Sequence, residues 1–213
     1  MYQKASNGAG SDELLLPSEK QIWPTSWSHD GKFILYTQGS IGLSQADIRV
    51  LPLVGDRKPR LFVQAPAAAY DGQFSPEGRW VAYTSRESGG DEVYVVPFDA
   101  AKVLNPVSGS ASAGGGKWQV SASGGHCPRW LRDGKEIFFL SPASQMMAAQ
   151  VEEKGKRIEV RTPQVLFRSM VYVRAFAPYD VTPDGKKFVI NVLSEGNSPL
   201  TLMVNWTENL RKQ

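Results

Sequence analysis

The sequence predicts an all-β protein built from four repeated four-stranded sheets, the blades of a β-propeller or of a segment of a larger one. Two observations predict this fold. A short apolar pattern interrupted by Asp-Gly or Glu-Gly recurs four times, with its glycines at Gly31, Gly78, Gly134 and Gly185. The glycines are 47, 56 and 51 residues apart, and a four-stranded blade typically occupies roughly 40–50 residues. We therefore treat residues 1–213 as a single propeller domain.

Each copy of the pattern predicts a hairpin followed by a buried strand. Asp-Gly between two apolar runs favours a tight turn, because glycine accepts a positive φ and aspartate tolerates it. The run after each glycine is rich in β-branched and aromatic residues and is too short for a helix. Third strands are predicted at residues 47–53, 92–98 and 146–151, and fourth strands at residues 60–63, 117–120 and 164–167. A glycine-rich connector at residues 111–116 explains the longest spacing.

The first residue of each copy and the two chain ends bear on how the blades assemble. Trp27, Phe74 and Trp130 open three copies and are expected to pack between neighbouring blades, whereas the fourth copy has Val181. The last blade supplies three strands, the third at residues 200–206, and unassigned strands remain at residues 2–4 and 13–16. Ring propellers remove their exposed edges by closure. We therefore expect residues 13–16 to complete the last blade.

Composition excludes several classes of protein. Apolar residues make up 41% of the chain and the formal net charge is +3 with no basic cluster, so neither disorder nor a nucleic-acid partner is expected. Cys127 is the only cysteine, which excludes an intrachain disulfide and a cysteine-based metal site. No apolar run is long enough for a membrane span and the first residues lack a signal-peptide core. Membrane insertion is therefore not expected, and the compartment stays open.

The four copies of Trp/Phe-Ser-x-Asp-Gly-Lys and its variants resemble the TolB-type, WD-like β-propeller repeat over nearly the whole chain. Residues 27–31, 51–59, 72–85 and 204–207 are similar to a narrower group, the propellers that follow the kinase domain of some bacterial serine/threonine protein kinases. The resemblance implies a sensor or protein-interaction module, and it allows an extracytoplasmic domain of a larger bacterial protein. The chain itself carries no kinase motif.

Candidate site residues precede or begin the first strand of each blade, where the chain of a propeller nears the central channel. Aligning the copies places Gln73, Arg129 and Asp180 at one equivalent position and Asp71 two residues earlier, on the same strand face by alternation. Tyr70 and His126 lie just outside them. The alignment therefore predicts a cluster at one end of the channel, formed by Asp71, His126, Arg129, Asp180, Gln73 and Tyr70. These side chains would bind a polar ligand or a cation, or would neutralise one another as ion pairs.

Two functions are compatible with these residues. The first is a non-catalytic binding or sensor module for a protein, a peptide or a small polar ligand. The alternative is a small propeller hydrolase, similar to a metal-dependent lactonase, with its site at the channel, although this rests on fold analogy. We assign no catalytic residue and expect no cofactor; a divalent cation in the channel is the open alternative. A closed monomer and a homo-oligomer that pairs open blade edges are both compatible with the repeat.

We assign structural roles, and neither metal binding nor catalysis, to the turn carboxylates and to the neighbouring residues His126 and Cys127. Asp30, Glu77, Asp133 and Asp184 each stand alone in a turn, without the several oxygen ligands that calcium needs. Neighbouring residues of a strand point to opposite faces, so His126 is not expected to activate Cys127.

Overall fold

The computed structural model describes residues 1–39, 45–106, 113, 115–168 and 178–192, together with the backbone of Leu202–Val204. The fold is all-β, with 50% of the described residues in strands and 3% in helix. All strand pairings are antiparallel in the described part of the chain. None of the helices found there is long and apolar enough to cross a membrane.

Strands follow one another along the chain in four larger sheets, preceded by a two-stranded one. The small sheet pairs Tyr2–Gln3 (β1) with Glu13–Leu14 (β2). The first sheet has the order Gln21–Trp27 (β3), Phe33–Gly39 (β4), Ala46–Pro52 (β5) and Arg60–Val63 (β6). The second sheet has the order Ala69–Phe74 (β7), Trp80–Ser85 (β8), Glu92–Pro97 (β9) and Trp118–Gln119 (β10). In these two sheets, four antiparallel strands follow one another in chain order, as predicted for one repeat each.

A short helix that the sequence analysis did not predict, Ala100–Leu104 (α1), lies between β9 and β10. The Asp99 carboxylate caps it by accepting the backbone N–H groups of Ala101 and Lys102. Half of the predicted connector at residues 111–116, namely residues 111, 112 and 114, lies outside the described residues.

The third sheet contains an extra hairpin. It consists of His126–Trp130 (β11), Glu136–Leu140 (β12), the long strand Gln145–Lys154 (β13), Arg157–Val160 (β14) and Gln164–Arg168 (β15). The first part of β13 pairs with β15, whereas its last four residues pair with β14. The fourth sheet consists of Tyr179–Val181 (β16), Lys187–Ile190 (β17) and Leu202–Val204 (β18).

The repeated turns have the geometry that the sequence predicts. Gly31, Gly78, Gly134 and Gly185 have φ values of 72° or 73°, which a glycine adopts without strain. Asp30, Asp133 and Asp184 each accept the backbone N–H two residues further along the chain. The turn carboxylates of these three copies therefore serve the hairpin, as expected.

Three packed seams join consecutive sheets, and alternate residues of each second strand face opposite seams. In the first seam, Phe33 and Leu35 of the first sheet pack with Phe74, Val81 and Tyr83 of the second. The second seam is formed by the opposite face of the second sheet and by Ile137, Phe139, Ala149 and Val151 of the third. The third seam brings Phe138, Leu140 and Met146 against Tyr179, Phe188 and Ile190.

Packing of the opening aromatic residue is confirmed in two copies and is wrong in the first. Phe74 is buried in the first seam, and Trp130 is half-buried against the second. Trp27, by contrast, is 52% exposed. It lies on the face of the first sheet that is turned away from the second sheet, which the described residues cover only in part.

The expected closure by residues 13–16 is also wrong. Glu13–Leu14 pairs with Tyr2–Gln3, and no pairing joins it to Leu202–Val204 in the part of the chain that the structure describes. Instead Met1, Leu15 and Leu16 pack against Ile34, Tyr36 and Leu51. The physical reason is that this face of the first sheet is apolar and gains from being covered. A four-bladed ring therefore stays a prediction.

Candidate functional site

The candidate residues gather at the end of the sheets where β7 and β11 begin, which we call the entry end. Both strands have a β-bulge there, between Tyr70 and Gln73 and between His126 and Arg129. Asp71 and Cys127 occupy equivalent bulge positions and have φ values of 60° and 55°. Non-glycine residues rarely adopt this left-handed conformation, and it persists where surrounding contacts hold it.

A hydroxyl of the preceding sheet holds each bulge. The Asp71 backbone N–H donates to Thr37 Oγ1 at 3.2 Å, and the Cys127 backbone N–H donates to Thr84 Oγ1, also at 3.2 Å. Thr37 and Thr84 occupy the same position after their repeat glycines. The first and second seams are thus tied by the same bond, and each bond satisfies a buried backbone donor.

Asp71 is the central carboxylate of the site. Its side chain is buried and hydrogen-bonded by the Cys127 thiol, and the charges of Arg129 and His126 act on it. Burial raises the pKa of the Asp71 carboxyl, and these three neighbours partly oppose that shift. Burial and the adjacent Asp71 raise the pKa of the Cys127 thiol well above its usual range. The thiol therefore stays protonated and is a poor nucleophile.

Arg129 lies beside this pair without a carboxylate partner. Its Nη1 donates to the Pro128 carbonyl at 2.9 Å, and the guanidinium lies 5.9 Å from the centre of the Tyr179 ring. Within the described ranges, no ion pair involves Arg129. Asp71 and Arg129 thus interact through their charges but do not form the direct ion pair that would make the cluster self-contained.

His126 connects the cluster to a second group of polar side chains. The imidazole is half-buried, and burial lowers the pKa of His126 although Asp91 and Asp71 oppose the shift. The Tyr70 hydroxyl is hydrogen-bonded to Asp91. Arg86 pairs with Asp91 at 2.7 Å and lies over the Tyr70 ring. Tyr70 therefore belongs to the entry end as expected, together with Arg86 and Asp91.

Sequence reasoning missed Arg86 and Asp91 because they flank a Ser-Gly-Gly turn that resembles a solvated loop. Both side chains are in fact only half-exposed. The one signal that could have found them is their place in the β8–β9 loop, at the same end of the sheet as Tyr70.

Two other predicted residues point elsewhere. Gln73 Nε2 donates to the Thr25 carbonyl at 2.7 Å, and the Gln73 carbonyl accepts the Trp130 indole N–H at 3.2 Å. Asp180 is exposed and accepts the N–H of the next residue, Val181. The structure thus brings Asp71, His126 and Arg129 together, while Gln73 links neighbouring sheets and Asp180 faces solvent. Gln73 and Arg129 follow equivalent bulges and yet point to different places, and the strand of Asp180 pairs without a register shift, so equivalent positions in the repeat do not place their side chains alike.

No group of three or more His, Cys, Asp and Glu side chains in the described part is arranged to hold a metal ion. No family model matches the chain, and no curated protein matches it.

Several solved structures share the fold. TolB from Acinetobacter baumannii aligns with a TM-score of 0.65 and 17% identity, over 95% of this chain and 45% of that one. An oligogalacturonate lyase in complex with manganese aligns with a TM-score of 0.58 and 11% identity, over 93% of this chain and 55% of that one. A Bacteroides uniformis protein provisionally assigned as a 6-phosphogluconolactonase aligns with a TM-score of 0.53 and 16% identity, over 90% and 56%.

The chain therefore spans about half the length of the proteins that it resembles. At these identities the likeness concerns the fold and not the activity. None of these three is a kinase-associated propeller, so that narrower resemblance stays a prediction. The architecture of the described sheets is that of a TolB-like β-propeller.

Proposed function

We propose that the chain is a non-catalytic binding module that takes a protein, a peptide or a small polar ligand at the entry end, beside Asp71, His126 and Arg129. The observation that carries the proposal is the state of Arg129. A guanidinium has five N–H donors, and among the described residues one of those of Arg129 is bonded, to Pro128. The others can bind acceptor oxygens of a ligand.

The surroundings of Arg129 favour recognition over covalent chemistry. The Arg129 guanidinium lies over the Tyr179 ring, and the Tyr179 hydroxyl donates a 2.8 Å hydrogen bond to the Cys127 carbonyl. Asp71 is buried beside Arg129, and burial raises the pKa of its carboxyl, so it neutralises the Arg129 charge less than an exposed carboxylate would. Cys127 holds its proton, so a thiolate attack on an ester or a lactone is disfavoured.

The test is a thermal-shift screen of sugars, sugar acids, amino acids and short peptides, followed by titration calorimetry of the compounds that stabilise the protein. Arg129→Gln removes the charge, and Arg132→Gln is the matched control because Arg132 is exposed in the third repeated turn. We expect at least one compound to stabilise the wild type and the control and to lose its effect in Arg129→Gln. An inactive panel, or equal binding by both variants, would contradict the proposal.

The lactonase-like alternative is tested on the same preparation. Bound divalent metal is measured, and lactone and ester hydrolysis are assayed with and without a chelator. Stoichiometric metal with chelator-sensitive turnover would replace the binding-module proposal. The kinase-associated context and the extracytoplasmic location belong to the resemblance of the repeats and stay proposals as well.

A further inference from the structure

A second surface lies on the first sheet, far along the chain from the entry-end residues. It is the face that points away from the second sheet and carries Ile34, Tyr36 and Leu51. The N-terminal hairpin, residues 1–16 with β1 and β2, covers this face. Within the hairpin, the Met1 ammonium donates to the Leu16 carbonyl at 2.8 Å, and an ion pair of 3.0 Å between Glu13 and Arg57 joins the hairpin to the loop after β5.

The hairpin covers the face incompletely. A pocket of about 470 Å³ remains between the hairpin and β3, and its walls include Tyr2, Leu15, Pro24, Trp27 and Ile34. We call it the Tyr2–Trp27 pocket. Tyr2 is 66% exposed and Trp27 is 52% exposed, and Leu14, the strand partner of Tyr2, is 48% exposed. Large apolar side chains exposed together mark interaction surfaces more often than isolated ones do.

Polar groups in the wall of the pocket already have partners within the protein. Thr25 Oγ1 donates to the Gly72 carbonyl, Ser26 Oγ accepts the Phe74 N–H, and Trp27 Nε1 donates to the Gly31 carbonyl. Gln3 is bonded to Glu13, and Lys4 is paired with Asp12. The pocket therefore offers apolar surface rather than unsatisfied hydrogen-bonding groups. Its chemistry suits an aliphatic or aromatic side chain and not a polar small molecule.

The position of the second sheet that is equivalent to Trp27 shows which side chains pack there. Phe74, the counterpart of Trp27, is buried in one cluster with Phe33 and Leu35 of the preceding sheet. These two residues alternate along β4, so the natural complement of the position is a strand with apolar side chains at every second residue. The Tyr2–Trp27 pocket occupies the same position on the first sheet that the first seam occupies on the second sheet.

A second copy of this chain that stacks its fourth sheet on the pocket fits poorly. The residues of β17 that face away from the third seam are Lys187 and Val189, and both are exposed. Stacking this face on the pocket would bury the Lys187 ammonium against apolar surface, which is costly without a partner charge. We propose that the Tyr2–Trp27 pocket is a docking site for an extended strand of a partner protein, which inserts one aliphatic or aromatic side chain between Tyr2 and Trp27.

The test uses the whole protein and a phage-displayed library of random linear peptides. Selected peptides are synthesised, and their affinities are measured for the wild type, for Trp27→Ser and for the matched control Val189→Ser, which alters an exposed apolar residue on the fourth sheet. We expect the peptides to share one aliphatic or aromatic position. They should bind the wild type and the control equally and Trp27→Ser roughly tenfold more weakly or worse, as expected for loss of an aromatic anchor.

Three outcomes would overturn the proposal. They are a selection without a shared apolar position, equal affinity for Trp27→Ser, and a wild-type dimer in light scattering that Trp27→Ser dissociates, which would assign the surface to a second copy. Arg129→Gln separates this site from the entry end, since it should leave peptide binding unchanged. Failure of either proposal is thus distinguishable from failure of the other.

Discussion

Neighbouring sheets are joined by different hydrogen bonds in the first two seams and in the third seam. In the first two, a threonine hydroxyl accepts the N–H of a residue in the left-handed conformation. At the third, Leu140 replaces the threonine and Pro178, which has no N–H, replaces the donor. Acceptor and donor are lost together, so no buried donor is left unsatisfied. Tyr179 adds a new bond, from its hydroxyl to the Cys127 carbonyl.

This difference teaches that the entry-end cluster depends on both the second and the third seam. Cys127 lies between the Thr84 hydroxyl and the Tyr179 hydroxyl, which bond its N–H and its carbonyl respectively. Its thiol in turn bonds Asp71. The position of the central carboxylate is thus set by hydrogen bonds from two neighbouring sheets.

The largest effect is expected from the apolar part of the third seam. Phe138 is 1% exposed, and its ring packs edge-on against Phe188 at 5.1 Å between centroids. Phe138→Ala should lower the free energy of unfolding by about 3–5 kcal/mol because it leaves a cavity. Urea denaturation measures this, with the exposed Val189→Ala as the control. A loss below about 1 kcal/mol would show that this seam contributes little to stability.

The next largest effect is expected from the hydrogen bond between the Thr84 hydroxyl and the Cys127 N–H in the second seam. Thr84→Val keeps the shape of the side chain but leaves the Cys127 N–H without its acceptor. We expect a loss of about 1–3 kcal/mol, measured by urea denaturation. Thr162→Val is the control, since Thr162 is exposed and should change stability by less than about 0.5 kcal/mol. Equal stability of the two variants would contradict the importance of the bond.

A smaller loss is expected at the third seam when its hydroxyl is removed. Tyr179→Phe deletes the donor to the Cys127 carbonyl and should cost about 0.5–1.5 kcal/mol, because a carbonyl tolerates a lost partner better than an N–H does. Tyr2→Phe, at an exposed tyrosine, is the control for thermal unfolding. If Tyr179→Phe cost more than Thr84→Val, the ranking of the two seams would be wrong.

The smallest expected effect is the change of stability with pH, and its sign follows from the raised pKa of the Asp71 carboxyl. Because burial raises its pKa above the usual value of 3.8, the folded protein holds a proton that the unfolded chain has lost. Stability therefore falls as pH rises through the range just above 3.8. Asp71→Asn, which also tolerates a positive φ, should be more stable than the wild type at pH 7. This advantage should shrink on acidification. A wild type that is the more stable at pH 7 would contradict the sign.

Local features could be predicted from the sequence, and features that depend on a neighbouring sheet could not. The four turns follow from Asp-Gly or Glu-Gly, so the hairpins and the strands beside them were predictable. The exposure of Trp27 was not, because it depends on which element covers the first sheet. The repeat alignment found Asp71, His126 and Arg129. It misplaced Gln73, which bonds Thr25 of the neighbouring sheet, and Asp180, which is exposed, because the repeat pattern does not show the contacts that each side chain makes with neighbouring sheets.

The central claim is that Arg129 has donors available to a ligand. Side-chain NMR of the arginine Nε–Hε groups tests it most directly, with Arg132 in the third repeated turn as the internal reference. On titration with a compound from the thermal-shift screen, the Arg129 signal should shift in proportion to saturation while the Arg132 signal stays in place. A bound compound that leaves the Arg129 signal unchanged would contradict the claim.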